Sequence, residues 1–281
     1  MTGDSEKADL RPVAVGRWRG LMLDAFRQAG LLDLFAGPAF PAPGFAGSVA
    51  RFHGNIGATY RVDGPALPAP VFVKYFVSTW RSLVPLTLGR TGAARCWRAA
   101  QILIEENLPT PRPVAVLTDT RLGLHRRSVF IAEAVPHSLD KNLELYFRHN
   151  FDRRPLPPEL LSEKREIIER LAELYRRVHG QDRIYFPDFH PHNLVAARTG
   201  GELSLYLVDF DEVNFHVRPD DRLRNLASLG RNSKKIQMKM RSGGIGIADR
   251  LRFLRHYLGP EAGRDQAHRL GREILANWGL R

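Results

Sequence analysis

Cysteine is nearly missing from this chain. Cys96 is the single one among 281 residues, so no disulfide can form within it and a reducing compartment is the expected setting. Long apolar runs are missing as well: no window reaches the ~18 uninterrupted apolar residues that a membrane-spanning helix requires. The opening MTGDSEKADLRP places Asp4, Glu6 and Asp9 where a secretory leader would carry an apolar run, so none is expected. Repeats and low-complexity tracts are absent too. These absences leave a cytoplasmic protein, long enough for one large domain or for two lobes.

Acidic residues are in short supply, 30 against 42 Lys and Arg, for a net charge of +12. The imbalance is local. Residues 216 to 255 hold eleven basic side chains against Asp220, Asp221 and Asp249, leaving eight of the twelve excess charges in that stretch. Such a field concentrates anions, among them phosphorylated sugars and acidic lipid headgroups. It also serves as an ordinary solvated face. No recognition motif or aromatic–basic interleaving accompanies the charge, and no nucleic-acid partner is expected.

Along the chain, a helical arm is expected over about Val15 to Phe35, followed by the Pro/Gly-rich connector FAGPAFPAPGFAG at residues 35 to 47. VARFHGNIGATYRVDG reads as two strands around a Gly-containing turn, and APVFVKYF as a third strand. Gly92 to Glu106 has helical spacing, with Trp97, Ala100 and Ile104 on one side, and is closed by Asn107 and Pro109. PRPVAVL and SVFIAEAV read as further strands. From there the pattern turns helical, beginning with the amphipathic run Leu160 to His179. The expected division is residues 1–47 as arm and connector, 48–135 as a sheet-rich lobe with one helix, and 136–281 as a helical lobe, the two lobes joined near Glu133 to Pro136.

Chemistry concentrates in YFPDFHPHNLVAA, residues 185 to 197, where Asp188, His190, His192 and Asn193 stand inside an apolar frame. Asp188 and Asn193 form D-x-x-x-x-N. The apolar run LSLYLVDFDEV follows, interrupted by Asp209-Phe210-Asp211, and far upstream Lys74 is the one cation of VFVKYF. A buried charge without a partner is strongly disfavoured, so each placement calls for a reason. One solution covers all four: Lys74 for ATP phosphates, Asp188 to orient and deprotonate a hydroxyl, Asn193 and Asp209 for Mg²⁺, a hard ion that prefers oxygen ligands. D-x-x-x-x-N alone is a weak signal, as is D-F-D alone. Their order after an early lysine strand is specific. His190 and His192 as a zinc pair lack a third and fourth ligand. The bland reading has His190 bonding to backbone, His192 exposed, and Cys96 and Trp97 packed in the core.

With these residues in view, the chain resembles the protein-kinase-like superfamily, and within it the lipopolysaccharide core kinases, the Kdo/heptose kinase family. VFVKYF, ARCWRAAQILIEENLPTPRPVAV, VFIAEAV, FPDFHPHNLV, YLVDFDEV and RLRNLASLGRNSKK carry the likeness over roughly residues 48 to 241. The resemblance implies an α+β, protein-kinase-like bilobal fold, with an antiparallel-sheet N-lobe, a mainly helical C-lobe and a nucleotide cleft between them. It implies transfer of the ATP γ-phosphate to a sugar hydroxyl of the lipid-linked core, at the inner face of the cytoplasmic membrane. Lys74 would bind the α/β-phosphates, Asp188 would be the base, and Asn193 and Asp209 would hold Mg²⁺. Glu133 to Val135 would offer backbone to adenine, and Gly54 and Gly57 would mark a sparse phosphate-covering loop. Asp211 either supports Asp209 or is an exposed loop carboxylate.

Three departures stand out. Phe186-Pro187 replaces the usual His-Arg before the catalytic aspartate, so control by a phosphorylated activation loop is not expected. Cys96 takes the place of the glutamate that pairs with the lysine, and Glu105 and Glu106 lie at the helix end. HGNIGATY has only two glycines and would serve equally as a hairpin turn. Two other functions fit parts of the pattern: a kinase of soluble metabolites or drugs, like the aminoglycoside and choline phosphotransferases, and a non-catalytic pseudokinase.

Overall fold

The computed structural model describes residues 9–37, 40–42, 48–54, 57–77, 91–121, 124–153, 155–210, 212–241 and 244–276. The chain divides into two compact units, one of residues 1–105 and 111–134, the other of residues 106–110 and 135–281.

The first unit is built on a seven-stranded sheet. Its strands are β1 (Leu10–Val15), β2 (Trp18–Leu23), β3 (Ser48–Gly54), β4 (Gly57–Asp63), β5 (Val71–Val77), β6 (Pro113–Arg121) and β7 (Leu124–Glu133). They lie in the order β1-β2-β6-β7-β5-β4-β3, and every pairing is antiparallel. The helical arm expected over residues 15–35 is therefore corrected. That stretch holds β2, a short helix α1 (Asp24–Gln28) and a 3₁₀ turn (Leu31–Phe35), and β1 ends at its first residue. Pairing with β6 overrides local preference, as tertiary context often does. Gly16 takes the left-handed conformation at φ 52° in the β1–β2 turn, and at Gly20 a Cβ would lie 1.9 Å from the Val116 carbonyl oxygen.

Strand alternation then sorts the side chains. Val71, Val73, Leu117, Val129 and Ile131 face a core shared with Trp18, Phe26, Leu31, Leu34 and Phe35. Phe40, from the expected connector, stacks on Tyr75 at 5.3 Å and on Phe35 at 5.2 Å, so this part of the connector packs against the sheet. The alternate set, Phe72, Lys74 and Phe76, points to the other face. There α2 (Gly92–Glu105) lies: a Cβ on Gly92 would meet the Phe76 ring at 2.6 Å, and the Ala93 amide donates to Ser128 Oγ at 3.4 Å. Ala93, Cys96, Ala100 and Leu103 form the buried stripe of α2, a 3.6-residue repeat, while Trp97 and Ile104 are only half-buried.

The second unit contains α3 (Leu143–Asn150), α4 (Pro158–His179), the hairpin β8 (Leu194–Thr199) and β9 (Glu202–Leu207), α5 (Asp221–Lys239), α6 (Ile247–Leu258) and α7 (Arg264–Ala276). Helix α4 is the one expected from the amphipathic run. It buries Ile167, Ile168, Leu171, Leu174, Tyr175 and Val178, with Glu159 in its first turn and Arg176 and Arg177 in its last, the arrangement that suits the helix dipole. The segment after α2 belongs here: the Leu207 amide donates to the Pro109 carbonyl at 3.0 Å, and Arg183 pairs with Glu106 at 3.0 Å. No helix among the described residues is long and apolar enough to cross a membrane.

Candidate active site

The polar turn hangs between two buried aromatic anchors. Phe186 and Phe189 are 4% and 1% exposed, whereas the Asp188 carboxylate between them is 59% exposed, so the apolar frame sinks and pushes the acid outward. The Phe189 ring stacks on Tyr175 at 3.9 Å, and the Tyr175 hydroxyl donates to the Phe189 carbonyl. Burial pushes the Tyr175 phenol well above its usual pKa, so the proton it donates is retained. On the other side Asn225 Nδ2, from α5, donates to the Phe186 carbonyl at 2.9 Å. Backbone carbonyls two residues before and one residue after Asp188 are thus held from two helices.

The five-residue spacing has a geometric reason. A 3₁₀ turn, Pro191–Asn193, folds the chain back so that Asn193 Nδ2 donates to the Asp188 carbonyl at 3.0 Å and to Asp188 Oδ2 at 3.2 Å. His190 Nε2 lies 2.9 Å from Asp188 Oδ1. This corrects the expected bond from its ring to backbone: the ring meets the carboxylate, while the His190 carbonyl accepts from the Asn193 amide at 2.9 Å. Asn193 is 7% exposed, and its carbonyl accepts from the Val208 amide at 3.2 Å. That bond ties the turn to the end of β9 and brings half-buried Asp209, the next residue, into the same neighbourhood. Asp211 lies outside the described residues. His192 is 63% exposed; its Nδ1 is 3.5 Å from Asn142 Nδ2 and 3.9 Å from Glu144, so the two histidine rings serve different partners.

The remaining candidates sit in the first unit. Lys74 is half-buried on β5, between Thr59 of β4 and Phe130 of β7, on the sheet face that carries α2. Cys96 is fully buried on that helix. Gly54 and Gly57 pair with each other where β3 and β4 meet. Glu133 ends β7: its amide donates to the Arg112 carbonyl at 2.9 Å and its carboxylate lies 3.5 Å from Arg112 Nη1. Val135 begins the stretch that belongs to the second unit.

Sequence reading missed the residues that hold the turn. His179, four residues after Tyr175 on α4, places Nε2 3.1 Å from Asn225 Oδ1 and Nδ1 2.9 Å from the Tyr257 hydroxyl. Asn225 must donate through Nδ2 to Phe186, so its Oδ1 accepts from His179 Nε2–H, and Nδ1 accepts from Tyr257. Burial lowers the His179 pKa to about 4 despite the Asn225 bond, which keeps the ring neutral as this pattern demands. The available signal was a tyrosine, a histidine and an asparagine on helix faces otherwise occupied by apolar residues.

One solved structure similar to this chain is described as "WaaP in complex with acyl carrier protein". It aligns with a TM-score of 0.59 and 21% identity, over 82% of this chain and 86% of its own. The fold is protein-kinase-like. A model of the lipopolysaccharide kinase (Kdo/WaaP) family matches residues 75–257, beginning one residue after Lys74, and the chain belongs to that family. No curated protein matches it.

Proposed function

We propose that this protein transfers the γ-phosphate of ATP, with Mg²⁺, to a sugar hydroxyl of the lipopolysaccharide inner core, on Kdo or heptose. Membership of the family supports a kinase acting on that core. The observation that carries the residue assignment is the clamp on Asp188. Two side-chain donors and two anchored flanking carbonyls hold an exposed carboxylate in one orientation. Asp188 accepts the proton of the acceptor hydroxyl, and His190 and Asn193 keep its carboxylate turned to the solvent side, where the acceptor arrives. Lys74 binds the α/β-phosphates, Gly54 and Gly57 cover them, and backbone at Glu133 and Val135 receives adenine.

The donor set fits a hard cation. Asn193 spends its amide nitrogen on Asp188, which leaves the carbonyl Oδ1 as the atom it offers, and Asp209 adds a carboxylate nearby. Asn193 and Asp209 would hold Mg²⁺, which supplies charge neutralisation for the transferred phosphoryl group. The enzyme works in the cytoplasm, against the inner face of the membrane that carries its lipid-linked acceptor.

The test is phosphate transfer from radiolabelled ATP to core lipopolysaccharide, beside a panel of aminoglycosides and amino-alcohols. The expected result is label in the core sugars alone, falling by about 10²–10⁴ in Asp188→Asn, the range that a general base contributes. Label in the soluble panel instead would move the acceptor, and full turnover by Asp188→Asn would remove the assigned base.

A further inference from the structure

His192 is the one polar residue of the Asp188 turn that the chemistry above leaves idle. It stands four residues after Asp188, on the 3₁₀ turn Pro191–Asn193, against which α3 packs. Asn142 caps α3: its Oδ1 accepts from the Leu145 amide at 2.9 Å, which leaves Nδ2 for the ring, 3.5 Å from His192 Nδ1. An amide nitrogen only donates, so Nδ1 accepts and the ring proton sits on Nε2. Nε2–H is left without an acceptor among the described residues, on an exposed side chain.

Glu144, two residues beyond Asn142, supplies the opposite polarity. Its Oε1 takes Lys239 Nζ, from the end of α5, at 2.8 Å. Its Oε2 lies 3.9 Å from His192 Nδ1, too far for a hydrogen bond, and receives none from the described residues. Burial pushes the Glu144 carboxyl up, but the bond to Lys239 and that cation's charge override it and hold the group below its usual value, so it is ionised. A carboxylate oxygen and a ring N–H thus stand together, one histidine away from the candidate base. The His190 and His192 ring centroids are 6.2 Å apart, and His190 Nε2 meets Asp188 Oδ1. An acceptor beside a donor is answered by hydroxyl groups, which do both. A carboxylate or phosphate would meet the Glu144 charge, and an ammonium would find that charge already matched by Lys239.

We propose that Glu144 and His192 read the acceptor sugar: Glu144 Oε2 accepts from, and His192 Nε2–H donates to, hydroxyls neighbouring the one that Asp188 deprotonates. The proposal deepens the functional reading and rests on Asp188 as the base. Held by these two side chains, the sugar presents one hydroxyl out of several to Asp188. Glu144 and His192 determine specificity and take no part in the transfer itself. An acceptor that lacks the neighbouring hydroxyl leaves the Glu144 oxygen without its donor, which is how a site built on hydrogen bonds rejects such an analogue. A hydrogen bond to a charged group is worth roughly 10- to 100-fold in binding, and one from the neutral His192 ring a smaller factor.

The experiment follows phosphate transfer by the full chain, from radiolabelled ATP to methyl glycosides of heptose and Kdo and to their monodeoxy analogues. An analogue that keeps the reacting hydroxyl but lacks its neighbour should lose about 10- to 100-fold in kcat/KM. Glu144→Met should lose as much on the parent sugar and discriminate no further against that analogue, with KM for ATP unchanged. His192→Phe should lose several-fold on the parent sugar. The ratio of parent to analogue within one variant does not depend on how much of that variant is folded. Lys239→Met removes the same ion pair between α3 and α5 but leaves the carboxylate, so its ratio should stay within a few-fold of the unaltered protein's. Analogues all equal to the parent, a ratio that survives in Glu144→Met, or one that collapses equally in Lys239→Met overturns the proposal. The kinase reading is judged separately, by transfer to delipidated core oligosaccharide. Where the unaltered protein phosphorylates none of these acceptors, calorimetric binding of that oligosaccharide decides. A Kd weaker by about 10- to 100-fold in Glu144→Met then supports the site, and an unchanged Kd overturns it.

Discussion

Asn225 and Phe186 stand 39 residues apart and are joined by one bond, the Asn225 side-chain amide donating to the Phe186 carbonyl at 2.9 Å. Through it α5 fixes the chain two residues before Asp188, and through its other atom the same side chain meets His179 of α4. The turn that presents the candidate base therefore depends on a polar pair buried between two helices.

Asn225→Ala should expose that dependence. It leaves the Phe186 carbonyl and the His179 N–H buried without partners, at a cost of roughly 2–6 kcal/mol for the two groups. Urea unfolding measures the loss. The positioning role predicts, beyond the stability change, a fall in kcat for the folded fraction with little change in KM for ATP.

The same pair sets a pH dependence. His179 has its pKa depressed to about 4 in the folded protein, chiefly by burial, against an ordinary value near 6.5. The unfolded chain therefore binds the proton that the folded chain refuses. Stability from this residue is complete above about pH 6.5 and is lost as pH falls toward 4, by an amount on the order of 3 kcal/mol. Comparing unfolding free energies of the native chain and His179→Gln at pH 7 and pH 4.5 checks this. The gap between the two should narrow at the lower pH.

Asp209→Asn and Asn193→Ala test the proposed cation site. Each should raise the Mg²⁺ concentration needed for half-maximal turnover by more than the ~10-fold that loss of even an outer partner of a ligand costs. Titrating activity with Mg²⁺ at saturating ATP gives the answer.

Lys164 is 6% exposed; its Nζ lies 2.6 Å from Asp249 Oδ2 and donates to the Gly244 carbonyl, which pins the start of α6 to α4. Lys164→Met removes the cation from a buried carboxylate that keeps only the Gly246 N–H, and should cost roughly 3–5 kcal/mol, whereas Lys164→Met with Asp249→Leu should recover part of it, less the cap that Asp249 gives Gly246. Chemical denaturation of the two variants decides between a needed ion pair and a replaceable one.

Gly20→Val should separate β2 from β6, because its Cβ would lie 1.9 Å from a carbonyl oxygen of the neighbouring strand. A loss of at least the ~1–3 kcal/mol of an overpacked site is expected. Hydrogen exchange should speed up at the β2 amides first.

What was legible in the sequence was whatever depends on neighbours in the chain. The strands β3 to β7, the helices α2 and α4, and the D-x-x-x-x-N turn all announce themselves through alternation, a 3.6-residue stripe or a fixed spacing. Asp188, Asn193 and Asp209 could be grouped because one short turn and one hairpin bring them together. Strands β1 and β2, at one end of the sheet, could not be found this way. They exist because β6 offers an unpaired edge about a hundred residues away and Gly20 allows the approach. Tyr175 and His179 carry no motif either, and Asn225 lies in the RLRNLASLGRNSKK stretch without anything there that names its partners. Sequence determined which side chains are available and their local spacing; only tertiary packing decided which buried polar atoms find partners, since a hydrogen bond between separate helices depends on distances that local periodicity does not encode.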